Sequence, residues 1–513
     1  MTQTSTPDPV QFWALVAPDR LALRHGGRAF TYGQLNAAVQ ESVDAFLVQG
    51  LGAGEHLSLE FEPHHPLPFA IAFHACLRAG LLPAPIGTSL TPLERQALRE
   101  CALVDLVLTS EAIEAAQAKE RAAISHAGVP PTGVVPPEGG APGVMGGPAP
   151  PGVSVRDLRL DAPAALCFTS GTGGEPRVCI LTHGNLFWSA LQSARNLGVR
   201  PNDLWLSCLP LHHVGGLSIL TRSAYYGTGV LLHDRFDAEA VNKAIDAEGV
   251  TLLSLVPPML ERLLEGRRGR IFPTSLRAAL IGGGPIPAAL LEQAADLRLH
   301  ALPTYGLTEA ASQVTTLSLR EWPAGLESAG RPLMFTQVEI RDSEGRPIGR
   351  GVDGEIVVRG PTVMAAYLED PQSNAAAWDG RWLKTGDIGA WDAAGRLLVK
   401  DRRVDRIAVG GENVSPEEVE RVLREHPAVA DACVVGIPAG SWGHEVAAAI
   451  QVRGDEPVTI EDLRRHAEAA LASFKLPRRL LLMPELPRSP SGKLLRRVVR
   501  DRFRNQVPEK ELT

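Results

Sequence analysis

The chain has 513 residues, 44% of them hydrophobic and 21% charged, and a formal net charge of -7. That length exceeds one compact core and implies roughly two to four lobes. The acidic balance argues against a protein devoted to gripping nucleic acid, and no apolar run reaches the roughly eighteen residues a membrane-spanning helix needs.

The first ten residues, MTQTSTPDPV, have neither a basic start nor an apolar run. No secretory signal is read there, and a cytoplasmic location is expected. Thr31-Tyr32-Gly33-Gln34-Leu35 opens a helix predicted to reach about Leu47. Short apolar strands then alternate with Ala/Leu-rich helical stretches: LSLEF, a helix near 68–79, DLVLTS at 105–110, DLWLSCLP at 203–210 and VTLLSLV at 250–256. This alternation predicts an α/β fold with largely parallel sheets. Residues 128–153 interrupt it with 8 Pro and 8 Gly. Such a composition buries too little apolar surface to offset its ordering entropy, and a flexible surface segment is expected. From about 335 the short strands VEIRD, GEIVVRG, RLLVKDRR and RIAVGG predict a β-rich subdomain. Beyond Pro416 the order helix 416–425, strand 430–437, strand 445–452, helix 460–472 predicts a small α+β domain. A domain boundary is expected near Asp401–Asp405.

Six cysteines, at 76, 101, 167, 179, 208 and 433, show no CxxC pair. They read as reduced core thiols, not as a zinc site or disulfide frame. Only 7 of the 51 basic residues are lysine, so a Lys beside a glycine turn stands out.

The most informative segment is Phe168-Thr169-Ser170-Gly171-Thr172-Gly173-Gly174-Glu175-Pro176-Arg177. An apolar strand runs into hydroxyls and glycines, whose backbone N–H groups can converge on an anion. The Walker pattern is absent, and an ordinary glycine-rich turn is the competing reading. Thr304-Tyr305-Gly306-Leu307-Thr308-Glu309 offers a ring, a hydroxyl and a carboxylate, suited to a base, a phosphate and Mg²⁺. Lys384-Thr385-Gly386-Asp387 places a carboxylate where it can accept two ribose hydroxyls. Ser489-Pro490-Ser491-Gly492-Lys493 presents a lone ammonium at a glycine turn, able to reach a phosphate. Taken singly, a helix cap, an Asx turn and a solvated lysine would explain these three.

Taken together and in order, TSGTxGxP, PLxH, GGG, YGxTE, TGD, DRRxD, GGEN and SGK resemble the superfamily of adenylate-forming enzymes. That superfamily comprises acyl- and aryl-CoA ligases, stand-alone adenylation domains and luciferases. The resemblance runs from Thr31 to Lys493 and implies ATP, Mg²⁺ and coenzyme A as partners, with a homodimer also compatible. It implies that Thr169, Ser170, Gly171, Thr172, Gly173 and Gly174 cradle the ATP phosphates, with Arg177 supplying positive charge. Gly282, Gly283, Gly284, Tyr305 and Gly306 would line the adenine slot. Thr308 would touch the α-phosphate and Glu309 would hold Mg²⁺. Asp387, helped by Arg402, would hold the ribose. Lys493 would bridge the acid's carboxylate and the α-phosphate, and Gly410, Gly411 and Glu412 would border the path of the thiol. Three departures stand in the phosphate loop, where Gly173, Arg177 and Val178 replace a usual Thr, Lys and Gly. One lost charge-assisted hydrogen bond costs roughly 1.5–3 kcal/mol, so weaker ATP binding is expected. The resemblance also implies a division into a large domain 1–400, a hinge at 401–405 and a mobile lid at 406–513; at the hinge, Val404 stands where the family often has a polar residue, and at His212 it usually has Phe.

Leu209-Pro210-Leu211-His212-His213-Val214-Gly215-Gly216, through Arg222, and Thr308-Glu309-Ala310-Ala311-Ser312-Gln313 resemble the branch that activates an aromatic keto-dicarboxylic acid. One carboxylate must react while the other is held by a fixed cation. Arg222 is the predicted cation, brought with His213 toward one cavity by a helix between them. His213 would gate the pocket, and Ser254, Gly283 and Ser312 would line it. Rival readings are a monocarboxylate:CoA ligase, transfer to a carrier-protein thiol and a non-catalytic nucleotide-binding homologue.

Overall fold

The computed structural model describes residues 4–104, 106–109, 155–170, 176–284, 286–402, 407–440, 443–453, 458–488 and 494–505. The segment 128–153, Gly171 to Gly174, the centre of the expected hinge and Lys493 lie outside these residues.

The frame is a nine-stranded sheet. In spatial order its strands are Arg331–Pro332, Thr315–Thr316, Ala301–Tyr305, Ala278–Ile281, Leu252–Leu255, Leu204–Ser207, Gly229–Leu232, Leu21–His25 and Arg28–Thr31. The strands from Ala301–Tyr305 to Leu21–His25 run parallel, with antiparallel strands at both edges. LWLS, GVLL, LLSL and AALI are buried at every position. Continuous burial is what a parallel sheet covered on both faces requires, and it explains why these strands read as apolar runs. Helices begin where sequence caps them. Thr31 and Gln34 form a capping box for Tyr32–Val48, and Gly80 ends Pro66–Ala79 in the left-handed conformation.

After Leu204–Ser207 the chain places Gly229–Leu232 on one flank and Leu252–Leu255 on the other. Crossovers that diverge in this way leave a crevice at the carboxyl ends of the strands. The predicted phosphate-loop strand belongs to a different, antiparallel arrangement. Pro163–Ser170 pairs with Pro176–Thr182, Thr169 opposite Arg177, before the helix His183–Leu197. A five-stranded sheet built on Gln337–Arg341, Gly354–Arg359, Trp382–Trp391 and Leu397–Arg402 matches the β texture expected from 335.

Beyond 407 lie the hairpin Ile407–Val409 and Glu412–Val414 and a three-stranded sheet of Val429–Pro438, His444–Val452 and Arg479–Met483. Helices Pro416–Arg424, Ile460–Ala467 and Arg496–Asn505 accompany them. The helix predicted over 460–472 stops at Ala467, and the chain tightens into turns and a 3₁₀ segment, Ser473–Lys475. Leu471 and Ala472 are thereby buried. Among the described residues, the buried clusters of this region contain nothing before Ile407, and those of the larger region nothing after Leu397.

One buried ion pair pins the amino ends of the central strands. Arg277 meets Asp203 at 2.9 and 2.6 Å and also donates to the carbonyls of Leu197 and Gly198. Thr251 donates to the same carboxylate. Asp203→Ala leaves a buried guanidinium unpaired and is expected to cost about 3–5 kcal/mol. Denaturant unfolding followed by the fluorescence of buried Trp205 measures it.

Candidate active site

Four predicted segments follow the carboxyl ends of neighbouring parallel strands: Cys208–His213, Val256 onward, Gly282–Gly284 and Gly306–Glu309. The sheet therefore gathers at one edge residues that the sequence spreads over a hundred positions. Glycine is required at two of them. A Cβ on Gly282 would lie 2.8 Å from Thr304 Cγ2, and one on Gly306 only 1.5 Å from the Ser312 carbonyl oxygen. Next to Gly306, Ala311 and Ser312 hold φ values of 49° and 94°. Non-glycine residues adopt such conformations at a cost that surrounding structure must impose, as at binding sites.

Tyr305 and Asp387 come together. The Tyr305 hydroxyl donates to Asp387 Oδ2 at 2.7 Å, with both residues buried. Asp387 is also the register partner of Arg402 across two strands. The predicted adenine and ribose residues thus share one wall.

Glu309 is buried, and its Oε1 accepts from the Tyr367 hydroxyl at 2.9 Å. Among the described residues no cation pairs with it. Its charge is felt nonetheless: burial first, and then Glu309, pushes the thiol of Cys167 up to about 12. A buried carboxylate left without a counter-charge fits an oxygen ligand for Mg²⁺. The Arg177 guanidinium lies 4.7 Å from the centre of the Tyr367 ring, and Arg177 Nε and Thr169 Oγ1 are buried without hydrogen-bond partners. Orphaned donors at both ends of the phosphate loop fit an anion there. Tyr367, a lone aromatic in the two-residue strand Ala366–Tyr367, carries no pattern from which sequence reasoning could have found it.

A cavity of about 310 Å³ opens beside the strand ends. Phe61, Leu211, His212, Phe236, Met259 and Glu412 are among its walls. The Gly410–Gly411 turn closes it from the C-terminal region, and a Cβ on Gly411 would sit 3.5 Å from Val256 Cγ2. Glu412 Oε2 lies 3.0 Å from His213 Nε2, and Glu412 Oε1 lies 3.9 Å from His212 Nε2. Burial alone would raise the Glu412 carboxyl; the His213 hydrogen bond and the charges of His213, His212 and Lys475 bring it down to about 2. Burial, helped by its charged neighbour His213, lowers His212 to about 3. His213 is lifted above the ordinary 6.5, because Glu412 outweighs its burial.

Arg222 is placed differently from the sequence expectation. His213 caps the helix Val214–Tyr226, and nine residues of helix put Arg222 about 13 Å along the axis and half a turn away. The helix therefore does not aim both at one cavity, and Arg222 is not in the wall of the cavity above. It faces the helix His183–Leu197 instead. Arg222 Nη2 donates to Ser189 Oγ at 3.1 Å, and Ser189 Oγ donates to the Ala311 carbonyl at 2.8 Å. The guanidinium thus backs the strained Ala311–Ser312 segment from inside. It is 2% exposed, its Nε has no hydrogen-bond partner, and among the described residues no carboxylate pairs with it. Burial, only partly offset by Tyr226, lowers it to about 10. Ser254 is occupied, accepting from the Trp205 indole at 3.1 Å.

Residues 10–368 match the family model described as AMP-binding enzyme, and residues 418–493 match the AMP-binding enzyme C-terminal domain. This chain belongs to the AMP-binding enzyme family. A 2-succinylbenzoate–CoA ligase of Bacillus licheniformis is 38% identical over 94% of this chain and 97% of its own length. The solved o-succinylbenzoate CoA synthetase of Bacillus subtilis is 33% identical. A double mutant of it, bound to its product analogue OSB-NCoA, matches with a TM-score of 0.86 over 97% of this chain and 99% of that one. The same enzyme with the acyl-adenylate intermediate OSB-AMP matches at 0.69 over the same shares.

The His213–Glu412 pair is expected to make docking of the C-terminal region depend on pH. The pair is present while His213 is protonated and is lost as pH rises through its raised pKa. On the acid side it persists until Glu412 protonates near pH 2. Energy transfer between dyes on the two regions is expected to fall as pH rises through that raised pKa, and His213→Gln is expected to flatten that response.

Proposed function

We propose that the chain activates o-succinylbenzoate as an acyl-adenylate with ATP and then transfers the acyl group to the thiol of coenzyme A. Buried Arg222, a guanidinium that no carboxylate among the described residues pairs with, carries this reading. An uncompensated cation in the interior is costly unless a ligand completes it, and a dicarboxylate has one carboxylate to spare. The relatives' printed names agree with that chemistry.

In the first step the acid's reacting carboxylate attacks the α-phosphorus and pyrophosphate leaves. Tyr305, Gly282–Gly284 and Asp387 hold the nucleoside, while Thr169, Arg177 and the glycines between them hold the phosphates. Mg²⁺ on Glu309 would neutralise phosphate charge as the bond to pyrophosphate breaks. Thr308 would position the α-phosphate, and Lys493 would bridge it to the attacking carboxylate. In the second step the thiol attacks the mixed anhydride, giving thioester and AMP. The apolar cavity closed by Gly410, Gly411 and Glu412 would receive the pantetheine arm. Neither step needs a protein nucleophile, since positioning and charge stabilisation supply the catalysis. The same reading has residues 1–400 and 406–513 act as two domains about a hinge at 401–405. It places the enzyme in the cytoplasm, as a monomer or homodimer.

Arg222→Met is expected to lower kcat/KM for o-succinylbenzoate by roughly 10- to 100-fold, the value of one or two charge-assisted hydrogen bonds, and to leave the KM for ATP unchanged. Equal wild-type activity on benzoate would remove the dicarboxylate assignment. Lys493→Ala is expected to stop pyrophosphate release while sparing thioester formation from supplied adenylate; equal loss of both would contradict the role given to Lys493.

A further inference from the structure

The C-terminal region touches the rest of the chain at a second charged contact, outside the motifs discussed so far. Lys475 Nζ donates to Glu418 Oε1 at 2.8 Å within its own region and to Glu94 Oε1 at 2.6 Å across the boundary. All three side chains are largely withdrawn from water, at 10% exposure for Lys475, 9% for Glu94 and 19% for Glu418.

Each half of this contact is built before the two meet. Glu94 is the third residue of the helix Pro92–Cys101. Its Oε2 accepts from the backbone N–H and the hydroxyl of Thr91, in a capping box. That leaves Oε1 facing outward in a fixed position. Glu418 stands in the first turn of the helix Pro416–Arg424, and Lys475 ends the 3₁₀ segment Ser473–Lys475. On separation Lys475 keeps Glu418 and Glu94 keeps Thr91, so no buried charge is stranded. A contact of this kind can open and close. On closing, one ammonium is shared by two carboxylates in a dry setting, where an ion pair counts for more than at the surface. The neighbouring charges are otherwise matched, since Arg95 and Arg99 both pair with Glu60, and Arg421 acts on Glu418. Lys475 also acts on Glu412, which links this contact to the turn at the cavity.

We propose that Glu94 is a positioning residue for thioester formation: by capturing Lys475 it sets the population of the orientation in which the Gly410–Glu412 turn closes the cavity. The inference rests on the reading of the chain as an acid–thiol ligase that works in two orientations. Glu94 is not among the residues assigned to substrate, so with the Thr91 cap kept the removal of its charge acts through that population.

Glu94→Gln keeps an acceptor for the Thr91 cap and removes the charge and the acceptor oxygen that face Lys475. Two rates are measured on each variant: pyrophosphate release from ATP and o-succinylbenzoate without CoA, and thioester formation from supplied acyl-adenylate and CoA. For Glu94→Gln and for Lys475→Glu the first rate is expected to stay within about twofold of wild type and the second to fall about tenfold or more. The double variant Glu94→Lys/Lys475→Glu again sets one ammonium between two carboxylates and is expected to recover most of the second rate. Equal loss of both rates, no loss in either, or no recovery in the double variant would overturn the proposal. A wrong acid is distinguishable, because it would abolish pyrophosphate release in the wild type itself. The ratio of the two rates would then be read with an acid that the wild type does adenylate.

Discussion

Two buried charges of opposite sign, each without an ionic partner among the described residues, govern the architecture of this site. Glu309 is a carboxylate held by a tyrosine hydroxyl, and Arg222 is a guanidinium held by a serine hydroxyl. Interiors tolerate neither at low cost. Both are fixed by elements that pack for other reasons: Glu309 by the loop beyond the strand Ala301–Tyr305, Arg222 by the helix Val214–Tyr226. On the proposed reading, a ligand that brings a metal-bound phosphate to one and a carboxylate to the other would complete the interior. The strained backbone at Ala311–Ser312 lies between them and is part of what the surrounding structure must hold in place.

Charge also decides how the C-terminal region sits. Its contacts with the larger region include Glu412 with His213 and Lys475 with Glu94, while the buried cores on the two sides do not merge. An interface that relies on a few polar contacts and a glycine turn can separate without exposing a core. The solved Bacillus subtilis relative matches this chain at 0.86 in one structure and 0.69 in another, at the same coverage.

Much of the site was legible because it is made of local patterns. Gly282, Gly306 and Gly410 mark places where backbone approaches backbone or φ is positive, and such residues announce themselves in sequence. The parallel strands were legible as continuous apolar runs, since burial on both faces leaves no alternation to read. What escaped is long-range or without pattern. The pairing of Lys475 with Glu94 spans 381 positions, and neither residue differs on paper from a solvated one. Tyr367 belongs to no motif. Arg222 was singled out on the expectation that a helix would bring it and His213 to one cavity; nine helical residues instead turn it away from His213, toward Ser189. The antiparallel pairing around the phosphate loop was likewise hidden, because apolar strands look alike whichever way their neighbours run.

The central claim is that the interior cation at 222 is completed by the acid's spare carboxylate. A crystal structure of this chain with a non-hydrolysable o-succinylbenzoyl-adenylate analogue tests it directly. The account predicts that carboxylate at about 3 Å from the Arg222 guanidinium, or joined to it through one ordered water. A carboxylate facing solvent, with Arg222 still bound only to Ser189, would contradict it.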